Sequence, residues 1–323
     1  MVIGHCIQFG SGQLMLDSGA FFSNPVFKYI YSFHMPLFML ISGYLFHYSI
    51  NHNSLQIVIG KIKGIIIPLI CWHSLYQFIV LALGNSISLR IFLLSYFHTL
   101  WFLRALFVFY MVVLFVNRVF KDNTYIYILV FIISFFIPNH ILPDVMVFTF
   151  PFFMLGYYVN KFSFIHFIGR YRSIHNNWLF TLIIFALHIG FLHFYKDDFY
   201  VYISQTYLLN NKYTLGHMIF INMYRILTAI WGCGIILILI YYLHYNYRHS
   251  QIFTFLIKLS PATICVYTIN HYINDSLLIC LPIYQLNYII MLIETIIILT
   301  FSYAIYILLI KNRILRLLFL GSR

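Results

Sequence analysis

Residues 288–310 read YIIMLIETIIILTFSYAIYILLI, with Glu294 the one charged side chain in the run. A helix needs roughly 20 apolar residues to cross the hydrocarbon core of a bilayer. This stretch supplies them without a break. A barrel strand would instead alternate apolar and polar residues over about 10 positions. The run therefore reads as a transmembrane helix.

Working outward, nine more apolar runs divide the chain. They are 1–9, 27–48, 62–83, 99–120, 125–137, 145–160, 178–194, 217–243 and 260–281. The first is short: MVIGH enters what reads as a helix already in progress, so this span is expected to be cut short at its start. The expected fold is all-α, a polytopic transmembrane helical bundle of about ten spans, in a single integral-membrane domain over residues 1–323. There is no internal repeat and no low-complexity linker.

Composition agrees. Of 323 residues, 63% are hydrophobic and 8% are charged, and the mean hydropathy is +0.90. Soluble domains carry about 25% charged residues. An ordinary soluble protein and a disordered chain are both excluded. The net charge of +12 is spread singly between apolar runs, so it reads as loop bias and not as a nucleic-acid footprint. With the N-terminus in the cytoplasm, the inside loops and tail hold Lys61, Lys63, Arg118, Lys121, Lys161, Arg170, Arg172, Arg248, Lys258, Lys311, Arg313, Arg316 and Arg323. The outside loops hold Lys28, Arg90, Lys196 and Lys212. That asymmetry places both termini in the cytoplasm.

The five cysteines (Cys6, Cys71, Cys233, Cys265, Cys280) lie in or beside apolar runs without a CxxC pair. They read as small buried hydrophobes, with no disulfide and no metal cluster expected. A Gly-rich phosphate loop, HExxH and GxSxG are all missing from the sequence.

Ionisable groups at membrane depth are costly and are functional candidates by default. They are His5, His34, Arg104, Arg225, His271, Asp275 and Glu294, expected to converge on one polar cavity in the outer half of the membrane. Glu294 is expected to partner Arg225 or Arg104, since a lone buried carboxylate is costly. The segment from Tyr31 to Phe46, YSFHMPLFMLISGYLF, is the strongest. Pro36 kinks the helix just past His34, Ser42 lies on roughly the same face, and Gly43 permits close helix approach. His34 is either a base or hydrogen-bond donor, or a packing histidine bonded to a carbonyl.

This segment resembles the integral-membrane acyltransferase family 3, which includes O-antigen and exopolysaccharide O-acetyltransferases. Other stretches resemble it in the same order. Ile3-Gly4-His5 is similar to the end of the family's first helix, although the basic residue expected about eleven positions earlier would lie upstream of Met1. Lys61 and Lys63 through Pro68 and Trp72 resemble the opening of the third helix. Leu100-Trp101-Phe102-Leu103-Arg104 resembles the Trp-Phe-Leu motif of the fourth. Phe150 to Gly156 is similar to the Phe-Phe-x-x-Gly element, and Ser260, Tyr267 and His271 resemble the late Ser…Tyr…His stretch.

The resemblance implies acyl transfer, usually of acetyl from acetyl-CoA, to a sugar hydroxyl of a cell-surface polysaccharide or its lipid-linked precursor. It implies a multi-pass protein of the bacterial inner membrane, with membrane lipids as its surroundings and no nucleic-acid partner. No permanently bound cofactor is implied. A sugar hydroxyl is a poor nucleophile and needs a positioned base. His5 is expected to be that base, with His34 orienting or polarising the acyl carbonyl. Arg104, sharing a face with Trp101, either stabilises the oxyanion or grips a substrate phosphate, or else snorkels to the interface. Lys61 and Lys63 at the start of the third span bind either CoA phosphates or anionic lipid. Tyr267, His271 and Asp275 are spaced by four and form a polar stripe, with Asp275 either orienting His271 or bridging helices. Two competing readings are a polysaccharide or lipid-linked sugar exporter and an O-antigen polymerase. The exporter lacks paired interrupted helices. The polymerase lacks a large arginine-bearing outside loop.

Overall fold

The computed structural model describes residues 1–10, 22, 24–82, 84, 88, 96, 100–163, 178–209, 212–274 and 287–322. Asp275, Cys280, Arg90, Arg170, Arg172 and Arg323 lie outside the described residues. Among the described residues there are helices and no strands. We number them α1 (Val2–Gly10), α2 (Pro25–Ser49), α3 (Ser54–Ala82), α4 (Trp101–Val119), α5 (Thr124–Ser134) and α6 (Asp144–Lys161). There follow α7 (Trp178–His193), α8 (Leu215–Tyr247), α9 (Gln251–Leu259), α10 (Thr263–Ile273), α11 (Tyr288–Ile310) and α12 (Arg313–Leu320).

Among the described residues, six helical stretches are long and apolar enough to cross a membrane: α2, α3, α4, α8, Phe253–Ile273 and α11. The apolar runs at α5 and α7 yield shorter helices. On α11, Ile289, Ile293, Ile296 and Ile297 are each more than half exposed. Such a face is unfavourable in water and suits lipid.

Helix starts follow local chemistry. The Asn24 side chain accepts from the backbone N–H of Val26 (3.0 Å) and Phe27 (3.1 Å), with Pro25 at the first helical position. Asn53, Asn123, Asn287 and Asn312 cap α3, α5, α11 and α12 in the same way. One helix deviates inside: residues Ile62–Ile66 of α3 form a π turn. Pro68 follows it. A proline has no N–H for the carbonyl four residues back, and its ring collides with that carbonyl. Widening the turn relieves the conflict, and Ile67 N–H reaches back to Ile62 O.

The described residues divide into two compact units. Unit one holds α2, the end of α4, and α5 to α8. Its centre is the crossing of α2 with α6. A Cβ on Gly43 would overlap the Phe153 carbonyl, and a Cβ on Gly156 would overlap the Leu40 carbonyl. Each glycine therefore admits the other helix's backbone, as small residues do at membrane helix interfaces. Asn160 Nδ2 donates to Tyr44 O (2.6 Å) at the same seam. Beyond it, Asp122 accepts from Lys161 (2.5 Å), Tyr127 (2.8 Å) and Tyr157 (3.1 Å).

Unit two holds α1, α3, the start of α4, and α10 to α12. Trp72 Nε1 of α3 donates to Phe319 O of α12 (2.9 Å), their rings meeting edge to face at 5.1 Å. Gly321 ends α12 at φ +66°, a left-handed cap that favours glycine. It rests on Gly64 of the π turn.

Replacing Gly156 with Val is expected to force α2 and α6 apart and cost about 1–3 kcal/mol or more. Gly234→Ala, where no atom lies within 4 Å of the new Cβ, is expected to be neutral. Thermal melts of the purified protein in detergent separate the two.

Candidate active site

In unit two, α1 carries His5 and α10 carries Tyr267 and His271. His5 hydrogen-bonds with the Gln8 side chain, and its imidazole lies within electrostatic range of His271. A third imidazole also lies within electrostatic range of His271: His73 of α3, fully buried. His73 Nε2 accepts from the Gln77 amide nitrogen at 3.2 Å. Tyr76 of α3 stacks on Tyr272 of α10 at 4.3 Å. Helices α1 and α3 thus each place an imidazole within electrostatic range of His271 on α10. No group of three His, Cys, Asp or Glu side chains among the described residues can hold a metal ion. Beside His5, the Thr295 hydroxyl of α11 donates to Cys6 Sγ at 3.7 Å. Cys6, Cys71, Cys233 and Cys265 are free thiols.

Trp101 opens α4, preceded by Leu100 at φ +49°. The Phe102 N–H donates to the Tyr267 hydroxyl (3.3 Å). Arg104, one turn on, lies within electrostatic range of Tyr267. Its Nε is shielded from solvent and has no hydrogen-bond partner. Tyr267 and His271 share a helix one turn apart, so Arg104 and the imidazole group border the same face of α10. Asp275, the expected third member of that stripe, lies outside the described residues.

The two lysines need a correction. The helix carrying them begins at Ser54, not at Ile62, because Asn53 caps it. Lys61 and Lys63 therefore sit about two turns inside α3, next to and within the π turn, and not at a helix N-terminus. Lys61 lies over the Tyr110 ring at 3.9 Å, and Lys63 is half-buried.

In unit one, His34 is buried on α2. Its Nδ1 lies 3.0 Å from Ile30 O. A carbonyl only accepts, so Nδ1 carries the proton and Nε2 the lone pair. Tyr31 meets the ring edge to face at 4.6 Å. A buried histidine that the apolar pattern hides lies nearby in the same unit. His188 of α7 sits 3.4 Å from Ser32 Oγ and against Gly232, where a Cβ would approach its ring to 3.1 Å.

Arg225 is almost completely buried. It donates to Gln205 O (2.9 Å), Asp198 O (3.4 Å) and Ser204 Oγ, and it lies in the field of Asp144. Asp144 in turn accepts from the Thr206 N–H and hydroxyl, both at 2.6 Å. The hydrogen bonds of Arg225 thus go to segment 198–205, and the expected pairing with Glu294 is not the one that satisfies it. Carbonyls and a hydroxyl match the forked guanidinium. The same segment buries Tyr200, whose hydroxyl donates to Phe22 O (3.2 Å). Burial pushes the Tyr202 hydroxyl up to about 12.

Sequence comparison supplies the identity of the family. The profile of the acyltransferase 3 family, an acyltransferase domain, matches residues 1–318. The chain belongs to this family. Among curated proteins it is similar to nodulation protein NolL of Mesorhizobium japonicum, with 38% identity over 76 residues, 23% of this chain and 20% of that protein. It is also similar to nodulation protein NolL of Sinorhizobium fredii, with 35% identity over 111 residues, 32% of this chain and 30% of that protein. The matches thus span less than a third of these relatives' length. Comparison with solved structures finds no match.

Within this acyltransferase 3 chain, the structure brings together His5, His271, Tyr267 and Arg104 in unit two. It adds His73 and Gln77, which the search for ionisable groups passed over. Their signal was present as two polar residues four apart inside an apolar run. His34 and Arg225 belong to unit one.

Arg225→Leu is expected to leave the Asp198 and Gln205 carbonyls and the Ser204 hydroxyl without their donor. Leaving a buried acceptor unsatisfied costs about 1–3 kcal/mol. Hydrogen–deuterium exchange is expected to show lost protection over residues 195–209, with α2 and α6 unchanged.

Proposed function

We propose that this chain is a membrane O-acyltransferase, moving acetyl from acetyl-CoA to a hydroxyl of a cell-surface polysaccharide or its lipid-linked precursor. The family match over residues 1–318 carries the reading and favours transfer over export or polymerisation. We place the protein in the bacterial inner membrane. It spans the membrane about ten times with both termini in the cytoplasm, in line with the lysine and arginine bias of the loops.

His5 accepts the proton of the acceptor hydroxyl as its oxygen attacks the thioester carbonyl. The tetrahedral intermediate carries its charge on the former carbonyl oxygen. Arg104, with a shielded and unpartnered Nε, is suited to that oxyanion. The C–S bond then breaks, the thiolate takes the proton from His5, and the acyl ester and free thiol leave. His271, within range of His5, positions that imidazole, and Trp101 and Tyr267 frame the Arg104 side. Asp275 supports His271. His34 keeps the role the family resemblance gives it, orienting or polarising the acyl carbonyl. Lys61 and Lys63 hold the phosphates of the donor.

General-base groups contribute about 10²–10⁴-fold. In proteoliposomes given radiolabelled acetyl-CoA and an envelope glycan fraction, His5→Ala is expected to lower transfer by at least about 100-fold. His34→Ala is expected to do the same, with both variants at wild-type abundance. Full transfer by both variants overturns the assignment.

A further inference from the structure

The carboxy-terminal helix has no role in the reading above. Yet α12 is anchored on α3 by the Trp72–Phe319 hydrogen bond and by Gly321 lying on Gly64. The contact falls on the π turn, which bears Lys63 and adjoins Lys61. The two elements bring Lys61, Lys63, Lys311, Arg313 and Arg316 to one end of unit two. Residues 54–82 and 311–322 contain no acidic residue. Glu294, on the neighbouring α11, lies about 25 Å of helix rise away from Lys311.

One of these cations is built in a way that a solvated face does not need. Arg316 is half-buried, and its Nε is shielded from water without a hydrogen-bond partner. A shielded guanidinium N–H with nothing to donate to is costly, and guanidinium geometry matches phosphate oxygens. The π turn that Pro68 requires is also where Gly321 meets Gly64, so the end of α12 is seated beside Lys63.

We propose that the π turn of α3 and the carboxy-terminal helix α12 together form a phosphate-binding site, with Arg316 and Lys63 as its main ligands and Arg313 at its rim. Resting on the acyl-donor reading, the site takes the phosphates of the nucleotide-borne donor. The shared chemistry also suits the phosphate of an anionic lipid headgroup. The geometry selects among donors. Thr295, which contacts Cys6 beside His5, lies about 24 Å of α11 rise from Lys311. A donor held by its phosphates at α12 reaches His5 only when its acyl group rides on an arm of that order.

The test measures coenzyme A binding to the full-length protein in nanodiscs of neutral phosphatidylcholine, without acceptor. Arg316→Gln and Lys63→Gln are expected to weaken binding about tenfold or more, by loss of a charge-assisted hydrogen bond. Arg316→Lys is expected to keep part of the affinity. Arg248→Gln, at an exposed cation bonded to His249, is expected to bind normally. Melting temperatures identify any variant that fails to fold, and Arg316→Lys then decides. If coenzyme A binding is unchanged but Arg316→Gln loses bound phosphatidylglycerol by native mass spectrometry, the phosphate site stands with a lipid headgroup as its ligand. If neither changes, the site is refuted. His5→Ala is expected to bind coenzyme A normally, so loss of transfer and loss of phosphate binding are read separately.

Discussion

A polar group inside a lipid-embedded helix bundle has no water to turn to, so the protein itself must satisfy it. Most of the described structure obeys that constraint by local means. The hydroxyls of Ser42, Thr149, Thr228, Thr268 and Ser302 each donate to a carbonyl four residues back. The Nη1 and Nη2 groups of Arg225 donate to carbonyls and a hydroxyl of segment 198–205. These groups are closed off by the backbone around them.

Against that background, buried polar atoms without a hydrogen-bond partner stand out, and among the described residues they include the Nε atoms of Arg104, Arg225 and Arg316. Arg104 keeps a shielded Nε with nothing to donate to, one helix away from the imidazoles of His5, His73 and His271. Arg316 keeps another at the far end of α11. An unsatisfied buried N–H costs about 1–3 kcal/mol. A bound oxyanion or phosphate removes that cost, and the two positions suit the two charged parts of an acyl donor. In the proposed division of labour, α10 gathers the reactive end and α12 the phosphate end, with α11 running between them.

Much of this was legible in the sequence. The continuous apolar run at 288–310 gave the helix Tyr288–Ile310, and the other runs mapped to helices with shifted ends. Gly43 could be read as a close-approach position, and its crossing with α6 bears this out, whereas the matching role of Gly156 emerges only from the packing. Hydropathy alone could not set the start of α3. Asn53 caps a turn of mixed polarity, so the apolar run begins two turns late. Residues 311–323 read as a tail because α12 is short and amphipathic, and its place depends on the Trp72 bond to Phe319. His73 and His188 were hidden because one imidazole barely lowers the hydropathy of a long window. The pairing of Arg225 with segment 198–205 depends on a loop whose course no periodicity encodes.

The central claim is acyl transfer to an envelope glycan. The most direct measurement is NMR of the surface polysaccharide from strains with and without the gene, before and after mild base. O-acetyl signals that need the gene and vanish on base treatment are the predicted result, and their positions name the modified sugar. An identical acetylation pattern in both strains, with altered polysaccharide amount or chain length, would contradict the account.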